Sequence, residues 1–263
     1  MSRDVVLIHG TSETGELWAD IRDHLGRRGW TVHTPTLRHH DASVTNQATL
    51  VAGVSLLDYA ADIADLTRGL DTPLIGGFSL GGLIAQLVAA RTPHRGLFCL
   101  TPSPGPGMRL PFSGVRVLGR HFLQAAPWRK PLPPLSWEVF RRSVANEQDE
   151  QTAREMYNGH LLFESGRAYS EIGFPYLDRG RAARVDYRAV TGPVLVIGGT
   201  RDRLGSTNIL RQTAARYAHG QYVEIDGADH MLTGGRFLPV MLRHLDQWLA
   251  DNHLASEPHR THP

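Results

Sequence analysis

The sequence predicts an α/β fold in which helices cover both faces of a parallel sheet of about six strands. Short runs of apolar and β-branched residues alternate with longer helical segments. Most of these runs are apolar at consecutive positions, which is typical of strands buried on both faces. Strands that alternate with helices favour right-handed crossovers and this layered architecture. The predicted strands are 5–9, 30–34, 73–77, 96–101, 194–198 and 221–225.

Helical patterns occupy the intervals between these strands. Segment 55–70 carries apolar residues at spacings of three and four, behind Ser55 as a candidate N-cap. Segment 80–91 is apolar nearly all round, which predicts a buried helix. Amphipathic patterns predict further helices over 17–28, 206–217 and 237–251.

Segment 102–190 interrupts the alternation, because it contains no convincing parallel strand. It begins with a proline and glycine cluster, and two or three helices fit inside it. An insertion of this length after the fourth strand predicts a helical cap over the C-terminal edge of the sheet, where open α/β sheets bind ligands. The predicted domains are a core of 1–101 and 191–252, a helical cap (lid) of 102–190 and a disordered polar tail of 253–263.

Composition excludes several classes of function. A formal net charge of +2 over 263 residues gives no reason to expect a nucleic-acid partner. No apolar run approaches the roughly 18 residues that a membrane span requires. Lys130 is the single lysine among 28 basic residues and lies in Trp-Arg-Lys-Pro, which excludes a Walker A motif and a Ser-x-x-Lys dyad. Cys99 is the single cysteine, so neither an intramolecular disulfide nor a cysteine-based zinc site is expected.

A Gly-x-Ser-x-Gly motif lies at residues 77–81, Gly-Phe-Ser-Leu-Gly. It follows a predicted strand directly and opens the apolar helix, which is the context of a nucleophile elbow. Such a strand-to-helix turn lifts the serine hydroxyl clear of the backbone, and the flanking glycines avoid clashes. Ser79 is therefore the candidate nucleophile, and a glycine-rich turn with a solvated serine is the alternative.

A serine is a weak nucleophile unless a neighbouring base removes its proton. His230 follows the last predicted strand, at the sheet edge where Ser79 also lies. Asp202 follows the neighbouring strand, where its carboxylate can orient the imidazole. Asp226 and Asp229 are competitors, but both are too close in sequence to His230 to reach behind its ring easily. A surface histidine without a catalytic role is the alternative for His230.

The chain order Ser79, Asp202, His230 resembles that of the α/β-hydrolase superfamily, and the resemblance covers residues 4 to about 250 except the cap. It implies the α/β-hydrolase fold. His9-Gly10, at the end of the first strand, matches the family's HG turn. The resemblance then implies that an oxyanion is bound by the backbone N–H groups of Thr11 and Leu80.

The chain departs from most members of that superfamily at its N-terminus. His9 leaves room for only one strand before the HG turn, where most members have two. This shortened plan resembles the plant methylesterase and hydroxynitrile lyase branch. Those lyases carry a lysine directly after the catalytic histidine, whereas this chain carries Met231, which argues against cyanohydrin cleavage.

Other polar and aromatic residues are candidates for binding a metal ion or the substrate. His33, His39, His40 and Asp41 form either a metal site or, more simply, a polar rim loop. Glu164, Arg167 and Glu171 would bind a polar group of the substrate, or mark a helix break with surface charges. Phe112 and Trp128 would line an apolar pocket or belong to the cap's own core. The predicted substrate-binding residues are Phe78, Trp137, Phe140 and Met231.

Together these features predict a cytoplasmic serine hydrolase that cleaves an ester, lactone or thioester of a small organic compound through an acyl-enzyme. We expect no cofactor and no metal ion, a small-molecule substrate, no nucleic-acid or membrane partner, and a monomer or homodimer. The same residues would catalyse an elimination, an acyl transfer or a cyclisation if the cap excludes water. A third hypothesis is a ligand-binding protein in which the triad of Ser79, Asp202 and His230 is vestigial.

Overall fold

The computed structural model describes residues 3–41, 44–108, 117, 119 and 121–254. Their strands form a six-stranded parallel sheet of order β2-β1-β3-β4-β5-β6. The strands are β1 Asp4–Ile8, β2 Thr31–His33, β3 Leu74–Phe78, β4 Gly96–Leu100, β5 Val194–Gly199 and β6 Gly220–Ile225. The predicted α/β architecture is thereby confirmed.

Burial follows the position of each strand in the sheet. Every residue of β1, β3, β4 and β5 is buried, because these strands have a neighbour on each side and helices on both faces. The edge strands β2 and β6 are partly exposed. The continuous apolar runs in the sequence therefore correspond to the four central strands.

Helices follow the strands in turn. Ser55 is the N-cap of the third α-helix, as the sequence predicts. Its hydroxyl accepts from Leu57 N–H and its own N–H donates to Asp58, so a capping box starts the helix. The α-helices are α1 Ala19–Gly26, α2 Val44–Val51, α3 Leu56–Arg68, α4 Leu80–Ala89, α5 Trp137–Ser143, α6 Glu150–Asn158, α7 Gly166–Gly173, α8 Thr207–Ala214 and α9 Leu238–Asp251. The sequence does not predict α2, because this short helix is rich in polar and β-branched residues that have low helix propensity.

Two apolar clusters lie on opposite faces of the sheet. Alternate residues of β1 divide between them, because successive strand side chains point to opposite faces. Val6 and Ile8 belong to the cluster that contains α3 and α4, and Val5 and Leu7 belong to the cluster that contains α1 and α9. Cys99 is fully buried in the first cluster, and its burial raises the pKa of its thiol.

The segment between β4 and β5 contributes α5, α6 and α7 but no strand of the sheet among its described residues. Buried hydrogen bonds join α7 to the core: the Ser165 hydroxyl donates to Val54 O at 2.5 Å, and Leu56 N–H donates to Glu171 at 2.8 Å. Phe112 and residues 255–263 lie outside the described residues. The division into core, cap and tail therefore remains a prediction.

In the part of the chain described above, no helix has both the length and the apolar character to cross a membrane.

Two glycines of the Gly-x-Ser-x-Gly motif allow α4 to pack directly against β1 and β3. A Cβ atom added at Gly81 would lie 2.2 Å from the carbonyl oxygens of both Ile8 and His9. A Cβ atom at Gly77 would lie 2.2 Å from the carbonyl oxygen of Gly81. No side chain can move aside here, because the obstructing atoms belong to the backbone.

We expect Gly81→Ala to lower the free energy of unfolding by about 1–3 kcal/mol, the usual cost of overpacking a core. Urea unfolding followed by circular dichroism measures the change. Gly53→Ala is the matched control, since nothing lies within 4 Å of a Cβ atom at that exposed position. Equal stability of the two variants would contradict this interpretation of the packing.

Candidate active site

Ser79 lies in a strained turn between β3 and α4. Its backbone has φ 52° and ψ −117°, a conformation that costs energy for any residue with a side chain. Hydrogen bonds on both sides hold it: Ser79 N–H donates to Leu100 O at 3.0 Å, and Ser103 N–H donates to Ser79 O at 2.9 Å. The hydroxyl makes no capping bond to α4, so it is available to another partner.

His230 and Asp202 complete a chain of hydrogen bonds that starts at Ser79. His230 Nε2 lies 3.1 Å from Ser79 Oγ, and His230 Nδ1 lies 2.8 Å from Asp202 Oδ2. A carboxylate only accepts, so Nδ1 carries the proton and Nε2 is left to accept the serine hydroxyl. The three side chains named in the sequence analysis are thus in contact, although Ser79 and His230 are 151 residues apart.

Asp202 is fixed by the backbone of its own loop. Its second oxygen, Oδ1, accepts from Leu204 N–H at 2.7 Å and from Gly205 N–H at 2.9 Å. Its side chain is fully buried, and that of His230 is 6% exposed. Because β5 and β6 are neighbours, the loops that follow them bring these two residues to the same end of the sheet.

The competing carboxylates have other partners. Asp229 accepts from Glu147 N–H at 2.9 Å, from the Gln148 side chain at 3.1 Å and from Met231 N–H at 3.1 Å. Desolvation raises the pKa of Asp229. Asp226 accepts from the Thr200 hydroxyl at 3.0 Å. Neither carboxylate has a hydrogen bond to the His230 ring among the described contacts.

The two candidate oxyanion donors flank Ser79 in different ways. Leu80 N–H is the first of α4, where the helix dipole favours negative charge. Thr11 lies on the loop after β1 and lines the same cavity as Ser79 and His230. Within the described residues, neither backbone N–H has a hydrogen-bond acceptor.

His9 organises the HG turn as a neutral side chain. Leu37 N–H donates to His9 Nε2 at 2.9 Å, so Nδ1 carries the proton and donates to Gly10 O at 2.8 Å. Burial, reinforced by the nearby His40, lowers the pKa of His9 to about 3. The imidazole therefore stays neutral at any working pH and keeps this hydrogen-bond pattern.

A buried ion pair holds the same turn from the other side. Gly10 N–H donates to Glu13 Oε2 at 2.8 Å, and Glu13 Oε1 pairs with His160. Desolvation disfavours the charged form of His160, but the Glu13 carboxylate outweighs it and raises the pKa of His160. The sequence does not predict this pair, because the two residues are 147 positions apart and neither belongs to a recognised motif.

An apolar cavity of about 110 Å³ lies beside Ser79 and His230. Phe78 lines it and also packs against the His230 ring, with centroids 5.2 Å apart. Phe140 lines it as well. Segment 102–190 contributes much of the wall, including Leu132, Leu135, Phe140, Val144, Tyr169 and Ile172.

Trp137 and Met231 do not line this cavity. Trp137 stacks under the guanidinium group of Arg154, 4.1 Å from the ring centroid, and packs edge-on against Tyr157. Met231 is 1% exposed and packs in the apolar cluster with α1 and α9. The sequence predicts Trp137 as a substrate-binding aromatic residue of the cap and Met231 as one that directly follows His230, but neither position determines where the side chain points.

Several of the remaining polar candidates have charged or polar partners outside the cavity. His33 contacts Asp4 at 2.7 Å, and His40 contacts Glu164 at 3.1 Å. Glu164 also accepts from the Tyr59 hydroxyl at 2.8 Å. Over the described ranges, no group of three or more histidine, cysteine or acidic residues is arranged to hold a metal ion.

Solved structures of several enzymes share this fold. A thermophilic esterase from Thermogutta terrifontis superposes with a TM-score of 0.70 at 21% identity, over 96% of this chain and 91% of that one. A monoacylglycerol lipase from Paleococcus ferrophilus gives 0.68 at 18%, over 94% of both chains. A methylesterase from Arabidopsis gives 0.65 at 14%, over 93% of this chain and 98% of that one.

The sequence itself matches a family model that spans most of the chain. The model describes the alpha/beta hydrolase family and covers residues 5–236, from β1 to just beyond His230. Both the match and the strand order agree with the resemblance found in the Gly-x-Ser-x-Gly and HG motifs. The chain therefore belongs to the α/β-hydrolase family of enzymes.

Proposed function

We propose that this enzyme hydrolyses carboxylic esters of small apolar compounds, with Ser79 as nucleophile, His230 as base and Asp202 as the residue that orients His230. The observation that carries the proposal is the pair of contacts at 3.1 Å and 2.8 Å that link the three side chains. Lactones and thioesters are cleaved by the same steps. The chemistry needs no metal ion or cofactor.

In the proposed reaction, His230 Nε2 takes the hydroxyl proton of Ser79 as Oγ attacks the ester carbonyl. The Thr11 and Leu80 N–H groups stabilise the resulting oxyanion. Collapse of this intermediate transfers the proton from His230 to the departing alcohol and leaves an acyl-enzyme. A water molecule, deprotonated by His230, then attacks the acyl carbon and releases the acid and Ser79.

The lining of the cavity favours a neutral, apolar substrate. Its wall from segment 102–190 is largely aliphatic and aromatic, which suits an acyl chain or the apolar part of an alcohol. Among the described lining residues, His160 is the one whose pKa is raised toward the charged form, and its charge is paired with Glu13. We therefore assign substrate selectivity to this segment, which acts as the cap.

Hydrolysis of a series of p-nitrophenyl esters with acyl chains of increasing length tests the proposal. We expect Phe140→Ala to change the ratio of kcat/KM between long and short esters by about 10-fold, because the change removes an aromatic wall of the cavity. Trp137→Ala is the matched control, since it truncates a large aromatic residue of the same helix outside the cavity. Its ratio should stay within about 2-fold of the native value.

Two results would count against the proposal. Failure of the native enzyme to turn over any ester of the series would rule out ester hydrolysis of this class. An equal shift of the ratio by Trp137→Ala and Phe140→Ala would show that the cavity does not hold the acyl chain.

A further inference from the structure

Two hydroxyl groups meet at the wall of the cavity, close to the proposed oxyanion donors. Thr11 lies on the loop after β1, and Tyr169 lies on α7. Their side-chain oxygens are 2.5 Å apart, and both residues line the cavity that contains Ser79. Tyr169 is 8% exposed, so its hydroxyl has little access to bulk water.

Only one of the two hydroxyl hydrogens takes part in the hydrogen bond between Thr11 and Tyr169. Each hydroxyl carries one hydrogen, and a single hydrogen lies between the two oxygens. A phenol is the stronger acid, so Tyr169 donates and Thr11 Oγ1 accepts. Burial raises the pKa of Tyr169, which keeps this donor protonated. Neither hydroxyl has another hydrogen-bond partner within the described residues, so the hydrogen of Thr11 remains available.

The available hydrogen belongs to the same residue as one of the proposed oxyanion donors. The backbone nitrogen and Oγ1 of one threonine are roughly 3 Å apart when Oγ1 is gauche to the nitrogen, given standard bond lengths. In that rotamer, an oxygen atom that accepts from Thr11 N–H is within reach of Thr11 Oγ1–H. The hydrogen bond from Tyr169 occupies a lone pair of Oγ1 and so restricts the directions in which Thr11 donates.

We infer that the Thr11 hydroxyl, oriented by Tyr169, is a third hydrogen-bond donor to the oxyanion, beside the N–H groups of Thr11 and Leu80. Thr11 touches the reacting oxygen, whereas Tyr169 acts through Thr11 as a positioning residue. The inference rests on the proposed function, because it requires acyl transfer to Ser79. No proton is transferred in this step: the hydroxyl only donates a hydrogen bond that shortens as charge develops.

A purely structural role does not account for the pair, because other contacts already hold the two segments that it joins. Tying α7 to the core does not require it, because Glu171 accepts from Leu56 N–H and the Ser165 hydroxyl donates to Val54 O. The loop that holds Thr11 is fixed independently by the Glu13–His160 pair and by Leu162 N–H, which donates to Ser12 O at 3.3 Å.

Steady-state kinetics of two Thr11 variants test the inference. Thr11→Val keeps the shape and the backbone N–H but removes the hydroxyl, and should lower kcat by about 10- to 100-fold with KM within about 3-fold. Thr11→Ser keeps the hydroxyl and should stay within about 3-fold of the native kcat. A trifluoromethyl ketone, which forms an anionic tetrahedral adduct, should bind Thr11→Val more weakly by the same factor as kcat/KM falls.

Tyr169→Phe tests the positioning role. It should lower kcat by about 10-fold, and Thr11→Val/Tyr169→Phe should be no slower than Thr11→Val, because both changes act on one donor. Tyr59→Phe is the matched control, since it removes another buried tyrosine hydroxyl, bonded to Glu164 outside the cavity. It should change thermal stability and leave kcat unchanged.

Native kcat and ketone affinity in Thr11→Val, or effects of Thr11→Val and Tyr169→Phe that multiply, would overturn the inference. An effect confined to KM would also overturn it. Labelling of Ser79 by a fluorophosphonate separates this outcome from failure of the proposed function: labelled but unaffected variants reject only the third donor, whereas an unlabelled Ser79 in the native enzyme rejects the function.

Discussion

Ser79→Ala should abolish ester hydrolysis almost completely, with kcat lower by about 10⁴- to 10⁶-fold, a typical loss for a nucleophile in such a triad. The variant lacks the oxygen that forms the acyl-enzyme, while His230, Asp202 and the proposed oxyanion donors stay in place. Alanine tolerates the turn at φ 52° no worse than serine does, so the fold should persist. Initial rates with p-nitrophenyl butyrate and a thermal unfolding curve measure both quantities.

Ser170→Ala is the control for Ser79→Ala. Ser170 is a buried serine of α7 whose hydroxyl donates to Gly166 O at 2.7 Å. Its replacement should alter stability and leave kcat near the native value. Residual activity above about 1% of native in Ser79→Ala would assign the nucleophile to another residue.

Asp202→Asn should lower kcat by about 10³- to 10⁴-fold without unfolding the protein. The amide of asparagine can donate to His230 Nδ1, which places the imidazole proton on Nε2. Nε2 then faces Ser79 Oγ as a donor and cannot accept the hydroxyl proton. The native hydrogen bonds from Leu204 N–H and Gly205 N–H can still be accepted by the amide oxygen, so the loop keeps its shape.

Asp226→Asn is the matched change on the loop that carries His230. Asp226 is exposed and accepts from the Thr200 hydroxyl, so the variant should keep kcat within about 2-fold of native. Asp229→Asn should lower stability, because Asp229 accepts three hydrogen bonds in a buried position. A larger loss of kcat in Asp229→Asn than in Asp202→Asn would assign the orienting carboxylate to Asp229.

The sequence contains enough information to predict the sheet and the elements that carry Ser79, Asp202 and His230. Central strands are apolar on both faces, so they appear as continuous runs, and parallel strands place their following loops at one edge. The glycines around Ser79 identify the turn, because the carbonyl groups of Ile8 and His9 at the end of β1 leave no room for a Cβ atom at Gly81. Periodicity and turn chemistry are local properties and can be read along the chain.

Contacts between distant segments could not be predicted in this way. Glu13 meets His160, which follows α6, and Thr11 meets Tyr169 of α7. Both contacts depend on tertiary packing between distant segments. Similarly, Phe140 and Trp137 lie one turn apart in α5, yet only Phe140 faces the cavity. A short helix without a strong apolar stripe gives no sequence signal for which aromatic residue faces inward.

Peptide mapping by mass spectrometry after reaction with a fluorophosphonate tests the central proposal most directly. We expect one adduct per chain, located on the peptide that contains Ser79, and loss of that adduct when the native enzyme is first saturated with a slowly hydrolysed ester. An adduct on a different serine, or an unmodified Ser79 in enzyme that still cleaves esters, would contradict the assignment of Ser79 as the nucleophile.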